Sequence, residues 1–380
     1  MTSNTLSTPP PLAPPKTSGC WTSWLRLIRS YRVGTSTFYR LLNEHGSAQA
    51  ALEALPDIAN KAGVAKYTPF PVSAAERELA RGQTLGATLI AIGTPQYPKH
   101  LAEISDAPPL LWTLGDTALM ARPCIGIVGA RNASSLGGRM ARNLANELTE
   151  AGFAIVSGLA RGIDAAAHVA ALKNGTIAIQ AGGIDQIYPA ENAKLHDDIA
   201  RHGLRVTEQA VGLIPKARDF PKRNRIISGM SQAVLVVEAA AKSGSLITAR
   251  NALDQGRDVL VVPGHPMDGR SSGCNMLIRD GATLIRNAQD VVDAITPPDQ
   301  YRTQTEIPLP DMPPQPTRPV HSAMEAHAKI LGFLGPTPVA EDQLIRDSGF
   351  AAKSIAPHIT SLEMEGKIKR HPGGMLARII

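Results

Sequence analysis

Short apolar runs alternate with amphipathic stretches through the centre of the chain, from about residue 120 to residue 296. Apolar runs of this kind are typical of parallel strands that are buried on both faces. Between the first two runs, Met140, Leu144, Leu148 and Ala151 mark one face of a helix that Gly152 closes. Strands are predicted at residues 125–128, 153–156, 176–179, 234–237 and 259–262. The alternation predicts an α/β fold with a Rossmann-like, doubly wound and mostly parallel sheet.

Helical patterns precede this central region. An apolar repeat at i, i+3, i+4 and i+7 starts at Trp21, and a helical pattern continues to about Asn60. Residues 19–66 are therefore predicted to form a small helical domain, SAM-like or helix-hairpin-helix-like, with Gly34 in its turn. Such turns occur in DNA binders, but a packing or partner-binding module is the favoured interpretation on so short a match.

A winged-helix domain is predicted at residues 320–380. Three helical patterns precede a strand, a turn at Pro372-Gly373-Gly374 and a second strand. Pro357 is compatible with the third helix if Ser354 is its N-cap, because the first-turn N–H groups have no helical partner. This helix carries few cations, so contact with a protein is at least as well supported as contact with duplex DNA.

Two proline-rich segments bound the predicted domains. Residues 1–18 hold five prolines and residues 297–319 hold eight, and neither shows an apolar period. Such segments are expected to be extended and poorly ordered. They divide the chain into a tail, the helical domain, an extended Rossmann-like domain at residues 67–296, a linker and the winged helix.

Composition excludes several classes of protein. The 380 residues are 43% hydrophobic and 19% charged, with a net charge of +6 that favours polyanionic partners only weakly. The cysteines, Cys20, Cys124 and Cys274, form no Cys-x-x-Cys pair, which argues against a disulfide framework or a zinc site. No apolar run is long enough to span a bilayer, and the N-terminus lacks the apolar core of a signal peptide. A cytoplasmic protein without membrane insertion is expected.

Basic residues concentrate in the run from Lys216 to Arg225, where five of ten residues are basic and one is acidic. A helix is predicted to begin near Arg223, so that its N–H groups and the basic side chains would face one polyanion. Gly-rich turns at the predicted strand ends suit close approach of a sugar-phosphate backbone to main-chain N–H groups. These turns, each predicted to lead into a helix, are Gly129-Ala130-Arg131 with Ser134, Ser157 to Gly162, Ala181-Gly182-Gly183, and Lys242-Ser243-Gly244-Ser245. NAD or FAD is not expected, because the first turn lacks Gly-x-Gly-x-x-Gly and no ribose-binding acidic residue follows the second strand.

The order of the motifs resembles one family over about residues 90–285. The motifs are Gly129-Ala130-Arg131 with Ser134 and Gly137, Ser157-Gly158-Leu159-Ala160-Arg161-Gly162-Ile163-Asp164 with His168, Gly183-Ile184-Asp185 with Tyr188-Pro189, Phe220-Pro221-Lys222-Arg223-Asn224-Arg225-Ile226-Ile227, Val237-Glu238-Ala239 with Ser243-Gly244-Ser245, and Val262-Pro263-Gly264. In this order they strongly resemble the DNA processing protein A (DprA/Smf) family. Each motif alone would be unspecific.

The resemblance implies a bacterial protein that binds single-stranded DNA without sequence preference and forms a homodimer. It also implies that the protein protects incoming DNA and helps to load the RecA recombinase in natural transformation. The expected DNA-binding residues are Arg131, Ser134, Gly158, Arg161, Phe220, Lys222, Arg223, Asn224, Arg225, Ser243, Gly244 and Ser245. Of these, the family's DNA contacts are carried over to Arg131 and Lys222, with Arg223, Asn224 and Arg225 beside them. Phe220 fits either a base or ribose contact or a core position, and Ser243 fits either phosphate binding or an N-cap.

An enzyme is the alternative function, a nucleotide (phosphoribo)hydrolase of the related Rossmann-like fold. Asp164, His168, Asp185 and Glu238 lie near predicted strand ends. The phosphate-binding Pro-Gly-Gly turn of those hydrolases is missing, since Ser243-Gly244-Ser245 follows Glu238. Caps and local hydrogen-bond partners are therefore favoured over catalytic residues, and no cofactor or metal is expected.

Overall fold

The computed structural model describes residues 14–296 and residues 323–379, which belong to two compact units. The first unit holds the N-terminal helices and the central sheet, and the second holds the C-terminal module. The predicted linker at 297–319 and most of the predicted tail at 1–18 lie outside the described residues. Within the described residues, no helix is long and apolar enough to cross a membrane.

Four helices form the N-terminal part of the first unit. They are α1 (Ser18–Arg29), α2 (Thr35–His45), α3 (Ala48–Lys61) and α4 (Val72–Thr84). The apolar face predicted from Trp21 is buried at Trp24 and Leu25, and the ring centroids of Trp24 and Phe38 lie 5.2 Å apart. The helical pattern that continues to about residue 60 is two helices, because Gly46 ends α2 in the left-handed region at a φ of 72°. The predicted helical domain is confirmed.

The rest of the first unit is a nine-stranded sheet with helices on both faces. Its elements are β1 (Thr88–Ala91), α5 (Lys99–Ala102), β2 (Leu110–Gly115), β3 (Cys124–Val128), α6 (Ser135–Glu150), β4 (Ala154–Ser157), α7 (Ile163–Ala171), β5 (Thr176–Ile179), α8 (Ala193–His202), β6 (Leu204–Thr207), α9 (Asp219–Met230), β7 (Ala233–Val236), α10 (Ser245–Asp254), β8 (Asp258–Val261), α11 (Ser272–Arg279), β9 (Thr283–Leu284) and α12 (Ala288–Ile295). The strand order is β1-β2-β6-β5-β4-β3-β7-β8-β9. Strands β3 to β9 pair in parallel, and β2 joins β6 and β1 antiparallel. The predicted Rossmann-like, mostly parallel sheet is confirmed.

Both faces of the sheet are buried, which explains the unbroken apolar runs. Ile125 and Ile127 of β3 pack into the core on one face, together with residues of α6 and α7. Cys124 and Val128 of the same strand pack into the core on the other face, together with residues of α9 and α10. Side chains alternate between the faces along a strand, so a strand that is covered on both sides has no polar period.

The sheet reverses its winding between β3 and β7. From β3 the chain runs through α6 to β4, and successive strands are added on one side up to β6. The α9 crossover then returns the chain to the other side of β3, where β7 and β8 follow. The loops that leave β3 and β7 therefore diverge, and ligand sites of doubly wound sheets lie at this switch point.

Two local predictions in this unit are wrong. Helix α9 begins at Asp219 and not near Arg223. It can start there because Pro221 occupies its first turn, where the missing N–H has no helical partner, and the Asp219 carboxylate accepts the Lys216 N–H at 2.8 Å. The turn at Ala181-Gly182-Gly183 does not lead directly into a helix, since α8 begins only at Ala193.

The second unit is a winged helix, as predicted. Its elements are α13 (Ala323–Phe333), β10 (Val339–Ala340), α14 (Glu341–Ser348), α15 (Ala352–Met364), β11 (Ile368–His371) and β12 (Met375–Arg378). Gly373 and Gly374 turn between the last two strands at φ values of 81° and 69°. The predicted N-cap of the third helix is wrong: α15 begins at Ala352, so Pro357 lies inside it, and the Ser354 hydroxyl donates to the Ala351 carbonyl.

Candidate nucleic-acid interface

A cleft of about 790 Å³ lies at the switch point. Three loops or helix starts form its walls: Gly129–Arg131 after β3, Phe220, Pro221, Arg223 and Asn224 on α9, and residues 242–245 at the start of α10. We call this the central cleft. It is the concave site at which a ligand is expected in this fold, and the basic run reaches it through the start of α9.

An arginine and two aromatic rings meet at one wall of the central cleft. The guanidinium carbon of Arg131 lies 5.5 Å from the centroid of the Phe220 ring. The Phe220 ring in turn lies 5.1 Å from the Tyr188 ring, tilted by 50°. Tyr188 is 49% exposed, and both aromatic residues line the cleft. Phe220 is therefore a half-buried wall residue rather than a core residue, and a base or ribose can approach the pair.

Arg223 lies beneath the cleft and is only 5% exposed. Its guanidinium donates to the Gly158 carbonyl at 2.6 Å and also to the Ile179 carbonyl, so it joins the ends of β4 and β5. Burial lowers the pKa of Arg223 to about 10, against the opposing effect of Asp164. A Cβ at Gly158 would lie 2.6 Å from this guanidinium, which explains the glycine. The phosphate contact expected for Arg223 does not fit this buried position.

Arg225 is also committed to partners within the protein. It donates to both carboxylate oxygens of Glu208 at 2.8 Å, and its Nε lies 2.9 Å from the Asp106 carboxylate. Burial lowers the pKa of Arg225, but the two carboxylates outweigh burial and raise it. The phosphate contact expected for Arg225 does not fit either, because its charge is already paired.

The turn between β4 and α7 directs its N–H groups inward. The Asp164 carboxylate accepts the N–H of Gly158 at 3.1 Å and that of Ala160 at 3.4 Å. His168 Nε2 accepts the Leu159 N–H at 3.3 Å. Burial lowers the pKa of His168 to about 3, so the ring is neutral and can accept this bond. The main-chain phosphate contact expected near Gly158 is therefore not available from these three N–H groups.

Arg161, in the same turn, has a different environment. It is exposed and faces Glu191, with 3.4 Å between Nη1 and Oε1. Both side chains are about 60% exposed, so the pair is weak and open to competition by a phosphate.

The main-chain N–H groups at the start of α6 also have hydrogen-bond acceptors within the protein. The Ser134 hydroxyl accepts the Gly137 N–H at 2.9 Å, which makes Ser134 the N-cap. The Glu238 carboxylate accepts the Ser134 N–H at 2.8 Å. A phosphate at this helix start would meet a carboxylate, so Ser134 acts as a cap here and the predicted DNA contact does not fit.

The turn before α10 contributes polar groups to the central cleft. The hydroxyl oxygens of Ser243 and Ser245 lie 2.7 Å apart, and Asn224 Nδ2 donates to the Gly244 carbonyl at 3.5 Å. The exposed Lys242 lies beside them. Asn224 thus joins α9 to this turn, and the two serine hydroxyls are the hydrogen-bonding groups of this wall.

Sequence reasoning missed two cations that line the central cleft. Lys242 lies in one of the Gly-rich turns but is not among the predicted DNA contacts, and Arg270 lies outside the predicted motifs. Arg270 follows the Val262-Pro263-Gly264 motif by six residues, and the loop returns it to the cleft. Lys222, by contrast, is exposed but lines a second cleft between α9 and the N-terminal helices.

Comparison with family models decides the relationship. Residues 88–296 match the model of DNA recombination-mediator protein A. The chain belongs to this family. Residues 20–80 match the DprA-like N-terminal HHH domain, and residues 313–374 match the DprA winged helix domain. The family resemblance inferred from the motifs is confirmed.

Individual members of the family are similar over most of their length. The DNA processing protein DprA of Bacillus subtilis is 43% identical over 222 residues, which are 58% of this chain and 75% of the relative. The protein Smf of Escherichia coli is 33% identical over 317 residues, 81% of this chain and 82% of the relative.

Two solved structures of family members are similar to this fold. DprA of Streptococcus pneumoniae is 35% identical with a TM-score of 0.56, covering 69% of this chain and 98% of the other. DNA processing protein A of Helicobacter pylori is 32% identical with a TM-score of 0.51, covering 55% and 95%. The Helicobacter pylori structure was reported for its single-stranded DNA binding mode.

Proposed function

We propose that this chain binds single-stranded DNA through the central cleft. The observation that carries the proposal is the convergence of exposed cations from three separate segments, Arg131, Lys242 and Arg270, on a cleft with an aromatic pair at its wall. Cations that line a groove follow a phosphate backbone, and rings beside them accept unstacked bases. In a duplex the bases are stacked inside, so the Tyr188–Phe220 pair favours a single strand.

Sequence independence follows from the kinds of contact that the cleft offers. Arginine and lysine side chains bind phosphates, which are the same in every nucleotide. A ring face accepts any base, because every base has a π-face. One of the hydroxyls of Ser243 and Ser245 donates to the other, and the second hydroxyl can likewise donate to a phosphate oxygen.

The family supports this proposal and extends it. A relative with 32% identity has been studied for single-stranded DNA binding. By the same resemblance, we infer a cytoplasmic homodimer that protects incoming DNA and helps to load RecA in natural transformation and recombination. A dimer would also cover a sheet edge such as the two-residue strand β9, whose residues are exposed.

The hydrolase alternative has little support from the geometry. Asp164 and His168 are buried and hold the turn at residues 158–160, and Glu238 holds the start of α6. All three side chains accept main-chain N–H groups, so none of them is a free carboxylate or imidazole in the central cleft. Incubation with nucleoside monophosphates should leave them intact, and release of the free base would support the hydrolase instead.

The test compares single- and double-stranded DNA by fluorescence anisotropy at several salt concentrations. The three exposed cations of the central cleft, Arg131, Lys242 and Arg270, at about −0.7 each predict a slope of log affinity against log salt of about −2 for single strands. Binding should be tighter to the single strand and equal for thymidine and mixed sequences. Equal affinity for duplex, or a slope near zero, would contradict the proposal.

A further inference from the structure

A second cleft lies on the far side of Pro221, between α9 and the N-terminal helices. Its volume is about 590 Å³. Thr35, at the start of α2, and Arg29 line it from the helical side, while Lys222, Gln209 and Asn251 line it from the sheet side. We call it the second cleft. Its lining is polar, so a ligand with many hydrogen-bonding groups suits it.

Buried contacts fix the two walls of the second cleft relative to each other. Arg29 of α1 donates to the Glu208 carbonyl at 3.0 Å and pairs with Glu78 at 2.9 Å. The Tyr39 hydroxyl of α2 donates to the Ala107 carbonyl at 2.8 Å. These contacts join the helical domain to the sheet through groups that are largely shielded from water. The cleft is therefore a formed surface and needs no closure of one domain on the other.

Three cations and three carboxylates surround the second cleft, so its net charge is zero and an anion can bind only at a cation that has no ion pair; they are Arg29, Lys222 and Arg225, and Glu78, Asp106 and Glu208. Arg225 pairs with the carboxylates of both Asp106 and Glu208. Arg29 is balanced by Glu78. The ammonium of the exposed Lys222 is left as the cation without a matching carboxylate among these groups. One phosphate at Lys222, with amide and hydroxyl groups around it, is the chemistry that the lining provides.

The second cleft adjoins the central cleft at Pro221. Phe220 lines the central cleft, Pro221 lines both, and Lys222 lines the second cleft. Three consecutive residues of α9 therefore form the ridge between the two. A DNA strand whose base stacks on Phe220 and whose phosphate binds Lys222 must cross this ridge, because the two side chains line different clefts.

We propose that the second cleft binds the segment of single-stranded DNA that leaves the central cleft, so that the N-terminal helical domain forms part of the DNA path. This rests on the proposed function of the central cleft. The ligand is a continuation of the same strand, with a phosphate at Lys222 and sugars or bases against Thr35, Gln209 and Asn251.

The experiment uses the full chain and two thymidine oligomers, one of about 6 and one of about 20 nucleotides, lengths that bracket common site sizes for single strands. The variant is Thr35→Glu, which adds a negative charge on the helical wall. A glutamate in the first turn of a helix favours the helix, so the fold should be kept. Ser18→Glu is the matched control, because it adds the same charge to the first turn of α1 and lines neither cleft.

We expect Thr35→Glu to weaken binding of the long oligomer by about tenfold, comparable to loss of one charge-assisted contact, and to leave the short oligomer unchanged. Ser18→Glu should change neither. Equal binding of the long oligomer by Thr35→Glu and Ser18→Glu would overturn the proposal, as would an equal loss for both lengths in Thr35→Glu. Arg131→Glu distinguishes failure of this proposal from failure of the proposed function. If this variant still binds both oligomers, the central cleft itself is wrongly assigned.

Discussion

Substitutions at Arg223 and Arg131 should separate stability from DNA binding. Arg223→Met removes the donor to the Gly158 and Ile179 carbonyls and the cation beside the buried Asp164. Loss of two hydrogen bonds from a charged group, together with a buried carboxylate left without its cation, costs about 3–5 kcal/mol. Methionine keeps most of the aliphatic bulk, so we expect the free energy of unfolding to fall by about this amount.

Arg131→Met should weaken DNA binding and leave the stability of the fold almost unchanged. Arg131 is exposed and packs on the Phe220 ring, so its loss should change the free energy of unfolding by less than about 0.5 kcal/mol. Its loss from the central cleft should weaken single-strand binding for all sequences alike. The slope of log affinity against log salt should become shallower by about 0.7, the value of one phosphate contact.

Urea denaturation followed by circular dichroism measures the first quantity, and anisotropy at several salt concentrations measures the second. Lys173→Met is the control for both, since Lys173 is exposed and lines neither cleft. If Arg223→Met is too unstable to purify, Arg223→Lys keeps the charge and removes the planar donor pair. A normal urea midpoint with a shallower salt slope for the Arg223 variants would show that this side chain reaches DNA, and the structural role would be refuted.

Three further outcomes are expected. Burial lowers the pKa of His168 from 6.5 to about 3, so below pH 6.5 the unfolded chain binds a proton that the folded chain does not. The free energy of unfolding should therefore fall by about 1.4 kcal/mol for each pH unit below 6.5. Urea midpoints at pH 7 and pH 5 measure this, and an unchanged pH dependence in His168→Gln would contradict it. A fragment of residues 19–296 should be a dimer by light scattering; a monomeric fragment with a dimeric full chain would assign the interface to the flanking modules. The winged helix should bind duplex DNA weakly, since Arg370 pairs with Glu341 at 2.6 Å and Lys367 with Glu365 at 2.7 Å; steep salt-dependent duplex binding by residues 323–380 would refute this.

The central strands could be predicted because burial on both faces gives them an unbroken apolar sequence. The five predicted strands match β3, β4, β5, β7 and β8 to within one residue. Strand β6 was missed because Arg205 interrupts its short apolar run, although this side chain is buried. Strand β9 has two exposed residues and no pattern to detect. Edge strands and strands with a buried charge depend on tertiary contacts, which a local pattern does not contain.

The candidate site could be predicted by segment but not by side chain. The basic run from Lys216 to Arg225 reaches the central cleft, but its residues from Lys222 to Arg225 lie on a helix, where successive side chains are about 100° apart. Moving the helix start from Arg223 to Asp219 places them on the regular turn of α9. Lys222 then faces solvent while Arg223 faces the sheet. The partners in the fold decide which of these cations are free to bind DNA. Arg223 is held by the Gly158 carbonyl and Arg225 by the Glu208 carboxylate.

The same reasoning separates a strand-binding site from a nucleotide-binding site. A nucleotide site commonly holds one phosphate on the N–H groups of a turn at a helix start, which fixes it in one position. Here Asp164 and His168 take the N–H groups of one such turn, and Glu238 and Ser134 take those of another. Phosphate recognition is left to long side chains such as Arg131 on separate segments. Flexible cations can follow a backbone whose phosphates differ in position, so the internal bonding of the turns itself favours a strand as the ligand.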